Sequence, residues 1–219
     1  MRTVIFDLDG TLADTSGDLI AAANACFRDL GHGEMLDPAC DQSTALKGGR
    51  AMLRLGFERL GTGSAQIDAQ YPVLLKHYGE NIDVFTKLYP GACDAIENLL
   101  AAGYATGICT NKPAALAETL MQNLGVRHLF GSLIGADTLP VRKPDPAPYI
   151  AAVQQAGGAL ASSILIGDTK TDRDTALAAG VPSVLVTFGP DGTDVAQLKP
   201  EALLESYDNL ANVAASLIG

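Results

Sequence analysis

The feature that most limits how this chain can fold is a short apolar run near the N-terminus that ends in two aspartates. Residues 4–6, Val-Ile-Phe, are apolar and β-favouring, and they predict a buried strand. Asp7 and Asp9 follow closely, and Gly10 allows a sharp turn that a ligand can approach. Open α/β sheets bind ligands at the carboxyl ends of their strands. The stretch therefore predicts a site with Asp7 as nucleophile and Asp9 as its acid/base partner.

Strands and helices alternate in the sequence from residue 89 onward. The apolar patterns predict strands at 104–109, 132–135, 163–166 and 183–187, and helices at 92–102, 113–124, 146–156 and 172–179. Such alternation implies βαβ units, a parallel sheet and right-handed crossovers. The predicted fold class is therefore α/β, with a Rossmann-like parallel-sheet core.

The residues between the first strand and this alternating part show only helical periodicity. Apolar positions recur at helical spacing over residues 19–30, from about 44 to 60 and from 66 to 80. The simplest architecture places an all-helical cap, residues 15–85, as an insertion in the α/β core. That core would consist of residues 1–14 and 86–219.

Composition and charge exclude several classes of protein. The chain has 219 residues, of which 47% are hydrophobic, and no tract is long enough to cross a membrane. We expect a cytoplasmic protein with reduced cysteines, because the four cysteines lack paired spacing and the start lacks a secretory-signal pattern. The formal charge of −10 argues against nucleic-acid and anionic-membrane partners. A monomer and a homodimer are both compatible with the sequence.

Polar motifs stand where predicted strands end and helices begin. Residues 7–11 follow the first strand, residues 110–113 (Thr-Asn-Lys-Pro) the second, and residues 167–172 (Gly-Asp-Thr-Lys-Thr-Asp) the fourth. Lys143 lies between the last two motifs, just before a helix that opens with proline. Because the carboxyl ends of parallel strands share one edge of a sheet, these groups can converge there.

These motifs, in this order, resemble those of the haloacid dehalogenase-like hydrolase superfamily. The resemblance rests on residues 7–11 (Asp-Leu-Asp-Gly-Thr), Thr110, Lys143, and residues 167–168 (Gly-Asp) with Asp172, and it covers nearly the whole chain. The helical insert is similar to the smaller cap type of that superfamily. Within the superfamily, the chain is most similar to phosphoglycolate phosphatase-like members. The resemblance implies an aspartate nucleophile and phosphoryl transfer.

Each motif residue has an expected chemical role at such a site. Asp7 can attack phosphorus to form an aspartyl-phosphate, and Asp9 can protonate the leaving oxygen and later deprotonate water. The Thr110 hydroxyl can bind a phosphoryl oxygen, and Lys143 can neutralise charge on Asp7 and the phosphoryl group. The amides of residues 111 and 112 lie at a helix start, which favours anions. The expected phosphate-binding residues are Gly10, Thr11, Asn111, Lys112 and Arg50.

A magnesium ion is the expected cofactor. Asp168 supplies a hard oxygen ligand, and with Asp7 and the Asp9 carbonyl it would make part of an octahedral Mg²⁺ site. Asp172 is included among the expected metal-site residues, where it would orient that shell. The alternative for Asp172 is a charge at a helix start, which the helix dipole favours. The metal and Lys143 would supply the positive charge that an acidic phosphate-binding protein needs.

Arg50 belongs to a basic, glycine-containing segment of the predicted cap, residues 47–50 (Lys-Gly-Gly-Arg). Two glycines between two cations can present backbone amides and Arg50 to an anionic substrate. A helix N-terminus with solvated basic residues explains the same pattern equally well.

The residues also select among the reactions that the resemblance implies. Dehalogenase and phosphonatase members lack an aspartate two places after the nucleophile, so Asp9 favours phosphoryl transfer. Sugar phosphomutase members carry a histidine where this chain has Leu19, which argues against a mutase. A member that binds phosphate without turnover is the alternative that is not an enzyme. We therefore predict a Mg²⁺-dependent phosphatase acting on a small phosphorylated metabolite such as phosphoglycolate.

Overall fold

The computed structural model describes all 219 residues, which form two compact units. The first unit contains Met1–Ala13 and Leu88–Gly219, and the second contains Asp14–Lys87. All strands longer than two residues lie in the first unit. Every helix of the chain falls short of a membrane span in length or in apolar character.

The first unit is built on a six-stranded parallel sheet. The strands of the chain are β1 (Thr3–Phe6), β2 (Ala13–Asp14), β3 (Lys87–Leu88), β4 (Ala105–Cys109), β5 (Ser132–Ile134), β6 (Ser163–Gly167), β7 (Ser183–Val186) and β8 (Ala202–Leu204). The order across the sheet is β5-β4-β1-β6-β7-β8, and β2 and β3 pair with each other separately. The predicted α/β fold with a parallel, Rossmann-like core is confirmed.

Burial explains why these segments form strands. Every residue of β1, β4, β6 and β7 is buried. Parallel sheets that are covered on both faces consist of such continuous runs, without the alternation of a half-exposed sheet. For this reason the ends of β4 to β7 lie within one residue of those predicted from the apolar runs.

Helices cover the sheet and make up the second unit. The α-helices are α1 (Ser16–Asp29), α2 (Gln42–Leu46), α3 (Gly49–Leu60), α4 (Ile67–Glu80), α5 (Ala92–Ala101), α6 (Ala114–Asn123), α7 (Ala147–Gln155), α8 (Lys170–Ala179) and α9 (Leu210–Ile218). One cluster of the core joins β1, β6, α7 and α8 through Ile5, Leu165, Tyr149 and Ala176. This packing holds the strands that carry the candidate site.

The chain after residue 187 contains a strand and a helix, β8 and α9, that the apolar pattern did not indicate. β8 has only three residues, too few to show periodicity. It nevertheless extends the sheet, with Leu204 opposite Val186 of β7. Tyr207, between β8 and α9, is buried. The C-terminal segment is therefore an integral part of the first unit.

The second unit is helical apart from its first and last residues, which belong to the two-residue strands β2 and β3, and aromatic side chains pack in its interior. Phe27 of α1 and Phe57 of α3 pack edge to face, with ring centroids 5.1 Å apart. Gly56 permits this packing, because a Cβ there would lie 2.2 Å from Phe27 Cζ. The helical pattern predicted from about 44 to 60 corresponds to two helices, α2 and α3. Gly48 has a φ of +97°, a left-handed conformation that separates α2 from α3.

Candidate active site

Three neighbouring strands end in polar residues that the sequence singled out. Asp7 follows β1, Thr110 follows β4 and Asp168 follows β6. β1 lies between β4 and β6 in the sheet, and the chain crosses to opposite sides of β1 to form them. Such a topological switch point is where open α/β sheets bind their ligands.

Asp7 is held in a fixed orientation by two donors. Its Oδ1 accepts a hydrogen bond from the Leu8 amide at 2.7 Å and lies 3.0 Å from Lys143 Nζ. Burial raises the pKa of Asp7 to about 6, and the Asp172 and Asp9 carboxylates add to this rise, which Lys143 only partly offsets. The protein's own cations therefore do not fully compensate the negative charge of ionised Asp7.

Asp7, Asp168 and Asp172 form a buried cluster of carboxylates. One oxygen from each lies within 4.8 Å of the others. Burial raises the pKa of Asp168 well above its usual value, and the Asp172 and Asp7 carboxylates raise it further. Hard oxygen atoms gathered in this way, with charges that repel one another, fit a divalent cation such as Mg²⁺.

Asp172 differs from the other two carboxylates because both of its oxygens have protein partners. Oδ1 lies 2.6 Å from Lys143 Nζ, while Oδ2 accepts hydrogen bonds from the Thr169 hydroxyl at 2.7 Å and the Asp168 amide at 3.3 Å. Thr169 and Asp172 form the capping box of α8, so the expected charge at a helix start is present. Gly167 leaves room for the carboxylate, since a Cβ there would lie 2.3 Å from Asp172 Cγ. Asp172 is thus placed to orient Lys143, and direct metal ligation by it stays a prediction.

Lys143 connects the nucleophile candidate with the capping box. Its buried ammonium group contacts both Asp7 and Asp172. Burial alone would lower the pKa of Lys143, but the Asp172 and Asp7 carboxylates raise it above its usual value, so the side chain stays charged. Asn111 Nδ2 donates a hydrogen bond to the Lys143 carbonyl at 3.0 Å. The expected phosphate-binding residue Asn111 therefore also fixes the Lys143 loop.

The turn between β4 and α6 gives Lys112 a contact that the sequence did not indicate. The Lys112 amide donates to Thr110 Oγ1 at 3.2 Å, and Lys112 Nζ lies 2.8 Å from Asp9 Oδ1. No spacing rule predicts where a long side chain will reach across a sheet. α6 begins at Ala114, one residue later than expected, with Pro113 directly before it.

Gly10 and Thr11 form the loop after the first strand. Gly10 has a φ of +82°, and its amide donates to the Ala13 carbonyl at 2.9 Å. Thr11 was expected at the phosphate site, but its side chain is fully buried and its hydroxyl donates to Asp168 Oδ1 at 3.2 Å. The Thr11 carbonyl accepts a hydrogen bond from the Tyr207 hydroxyl at 2.8 Å. Thr11 therefore holds a carboxylate of the cluster in place, and its expected contact with phosphate stays a prediction.

Arg50 lies at the start of α3 in the helical unit, next to Gly49. Its guanidinium group forms an ion pair with Asp68 and lies over the Tyr71 ring, 4.4 Å from the centroid. About half of the side chain is exposed. A substrate anion would have to share Arg50 with Asp68, and the expected substrate contact stays a prediction.

Comparison with known proteins identifies the family of this chain. Residues 4–186 match the family model described as haloacid dehalogenase-like hydrolase. A phosphoglycolate phosphatase of Mesorhizobium japonicum is 36% identical over 211 residues, which cover 94% of this chain and 92% of that protein. A phosphoglycolate phosphatase of Agrobacterium fabrum is 33% identical over 93% of this chain and 88% of its own length.

A solved structure shows the same fold. The crystal structure of "a predicted phosphoglycolate phosphatase" from Haemophilus somnus 129PT aligns with a TM-score of 0.85 at 24% identity, over 97% of each chain. At this identity the likeness establishes the fold alone, whereas the family model and the curated relatives match in sequence over most of the chain. The protein is therefore a hydrolase similar to phosphoglycolate phosphatases, and it belongs to the haloacid dehalogenase-like hydrolase family.

Proposed function

We propose that this protein is a Mg²⁺-dependent phosphatase that hydrolyses a small phosphomonoester through an aspartyl-phosphate on Asp7. One observation carries the proposal: Asp7 ends the central strand β1, contacts Lys143 at 3.0 Å, and shares a carboxylate cluster with Asp168 and Asp172. A nucleophile, a fixed cation and a set of hard oxygen ligands are the groups that phosphoryl transfer through an enzyme aspartate requires.

In the first step, a carboxylate oxygen of Asp7 attacks phosphorus and the bond between phosphorus and the leaving oxygen breaks. Asp9 donates its proton to that oxygen, so the leaving group departs as a neutral alcohol. Lys143 stays charged beside Asp7 and offsets the negative charge that gathers around phosphorus. The products of this step are the alcohol and an acyl phosphate on Asp7.

In the second step, water attacks the same phosphorus atom and restores the enzyme. Asp9, now a carboxylate, takes a proton from the water as the new oxygen–phosphorus bond forms. The bond between phosphorus and the Asp7 oxygen then breaks and releases inorganic phosphate. Asp7 is again ionised and Asp9 again protonated, so atoms and charge balance over the cycle.

Asp7, Asp168 and the Asp9 carbonyl would hold the metal. With Asp9 protonated, as the first step requires, three carboxylates (Asp7, Asp168 and Asp172) and two ammonium groups (Lys112 and Lys143) leave the site with a formal charge of −1. A divalent cation would offset this charge and part of the charge of a bound phosphate group. When bound, Mg²⁺ supplies Lewis-acid stabilisation of the phosphoryl oxygens and brings them next to Asp7.

The proposed substrate is phosphoglycolate or a similarly compact phosphorylated acid. The support is the similarity in sequence to phosphoglycolate phosphatases over most of the chain. We further propose that the helical unit, with the boundaries 15–85 expected from the sequence, serves as the cap that selects the substrate. Arg50 and its neighbour Lys47 are the basic residues of that unit proposed to meet the substrate carboxylate.

A panel of phosphomonoesters tests this function directly. Phosphate release is measured with Mg²⁺ and again with excess chelator, for the unaltered protein, for Asp7→Asn and for Asp94→Asn, an exposed position on α5. We expect chelation and Asp7→Asn to abolish release, and Asp94→Asn to leave it unchanged. Full activity of Asp7→Asn would reject Asp7 as nucleophile. Phosphoglycolate ranking among the poorest substrates would reject the substrate class and leave the phosphatase.

A further inference from the structure

We propose that Lys112 is a positioning residue for the acid/base step, acting by holding the Asp9 carboxyl group in the orientation needed for proton transfer to the leaving oxygen. The inference rests on the proposed phosphatase function. Lys112 Nζ lies 2.8 Å from Asp9 Oδ1, and the two side chains are 3% and 17% exposed. A lysine this deeply buried is rare, and one in a folded protein is usually held by a specific polar partner.

The backbone around Lys112 fixes where its side chain starts. The Lys112 amide donates to Thr110 Oγ1 at 3.2 Å, and its carbonyl accepts from the Ala136 amide at 2.9 Å. Lys112 therefore cannot move away from the sheet edge without breaking two hydrogen bonds. Its ammonium group reaches from the end of β4 to the loop after the neighbouring strand β1, where Asp9 lies.

Each aspartate of the first motif contacts a different buried lysine. Lys143 contacts Asp7 and Lys112 contacts Asp9. Of these two contacts, the one made by Lys143 involves the residue that attacks phosphorus. Lys112 is thus tied to the residue that handles the proton, and its loss should affect proton transfer more than attack at phosphorus.

The physical reason is orientation. A carboxyl group that is free to rotate spends much of its time away from the leaving oxygen, and small misplacements of a reacting group cost roughly 100-fold in rate. The contact of the Lys112 ammonium group with Asp9 Oδ1 limits the rotamers of Asp9 and leaves Oδ2 to carry the proton that is transferred. A general acid matters most when the leaving group is a strongly basic alkoxide, and least when it is a weakly basic nitrophenolate.

The test compares leaving groups in single-turnover experiments, which isolate the first step from the shared hydrolysis of the acyl phosphate. The unaltered protein and Lys112→Met are mixed in excess over alkyl phosphates and over 4-nitrophenyl phosphate, with Mg²⁺ present. We expect Lys112→Met to slow transfer from alkyl phosphates about 10- to 100-fold, and transfer from the nitrophenyl ester several-fold less. If Lys112→Met does not fold, Lys112→Gln replaces it with the same expectation.

A double-mutant cycle with Asp9→Asn completes the test. If Lys112 acts through Asp9, Lys112→Met adds no further loss with alkyl phosphates once Asp9 is Asn. Equal losses for every leaving group, or losses that multiply in the double variant, would overturn the proposal while leaving the phosphatase function intact. Absence of hydrolysis by the unaltered protein would overturn the proposed function first, and this inference with it.

Discussion

The ammonium group of Lys143 lies 2.6 Å from Asp172 Oδ1, and the two side chains are 1% and 0% exposed. Moving either charge out of water alone would be costly, so each makes the burial of the other tolerable. The same ammonium group lies 3.0 Å from Asp7 Oδ1. One buried cation therefore stabilises the start of α8 and the candidate nucleophile together.

Lys143→Met should destabilise the protein strongly, because it leaves buried Asp172 without its cation. We expect the free energy of unfolding to fall by about 3–5 kcal/mol, the usual cost of breaking a buried pair from one side. Lys170→Met is the matched control, since Lys170 pairs with Asp174 of the same helix with 72% and 39% of the side chains exposed. For Lys170→Met, the free energy of unfolding should fall by about 0.5 kcal/mol or less. Urea denaturation followed by circular dichroism measures the free energy of unfolding of both variants. Equal losses would contradict the conclusion that Lys143 stabilises the buried Asp172 carboxylate.

Magnesium should stabilise the folded protein through Asp168. Binding to the native state alone raises the free energy of unfolding by about 2.7 kcal/mol when the ion is present at 100 times its Kd. Asp168→Asn removes one ligand charge from the cluster, so the rise in Tm on adding Mg²⁺ should largely disappear. Asp94→Asn, a substitution at an exposed position of α5, should show the full rise in Tm on adding Mg²⁺. A thermal melt series in Mg²⁺ and in chelator decides the point, and an undiminished rise in Asp168→Asn would place the metal elsewhere.

Asp7 should make the metal-free protein less stable as the pH rises from about 4 to about 6. The pKa of Asp7 is raised from 3.8 to about 6 in the folded state, so in this range the unfolded chain releases the proton first and unfolding becomes more favourable. Above this range the loss is complete and constant. Asp7→Asn has no such proton to release.

The difference in free energy of unfolding between Asp7→Asn and the unaltered protein should therefore grow in favour of Asp7→Asn across that range. Urea denaturation at about pH 4.5 and about pH 7.5, both in chelator, measures it. Saturating Mg²⁺ at the higher pH should reduce the difference, because the cation compensates the Asp7 charge. A difference that does not change with pH would show that Asp7 titrates normally in the folded protein.

The sheet, and the proximity of Asp7 to Asp168, could both be predicted from the sequence. Continuous apolar runs predict buried parallel strands, and parallel strands place their carboxyl ends at one edge. Residues that directly follow such strands must therefore lie near one another, whatever their separation along the chain. Gly167 adds to this, since the absence of a Cβ leaves room for the Asp172 carboxylate.

The contacts that connect these residues do not follow from such rules. The reach of Lys112 to Asp9 and of Asn111 to the Lys143 carbonyl depends on side-chain rotamers that no periodicity encodes. Thr11 was assigned to phosphate because it belongs to the first motif, whereas its burial beside Asp168 depends on the packing behind the loop. That packing comes partly from the C-terminal segment, whose three-residue strand shows no pattern.

Tyr207 of that segment should influence catalysis although it lies outside every motif. Its hydroxyl donates to the Thr11 carbonyl at 2.8 Å, and the Thr11 hydroxyl in turn donates to Asp168. Tyr207→Phe leaves a buried carbonyl without its donor, which should lower the free energy of unfolding by about 1–3 kcal/mol. The loop that carries Asp9 would also be less well fixed, so kcat should fall several-fold.

Tyr149→Phe separates this effect from a general loss of stability. Tyr149 is also fully buried, and its hydroxyl shares a hydrogen bond with Ser163 Oγ at 2.6 Å, at the start of β6 and far from its carboxyl end. The two variants should lose similar stability in urea denaturation, but Tyr149→Phe should keep the kcat of the unaltered protein at 25 °C. If both variants lowered kcat equally, the Tyr207 hydrogen bond would contribute to stability alone and would not position the Thr11 loop for catalysis.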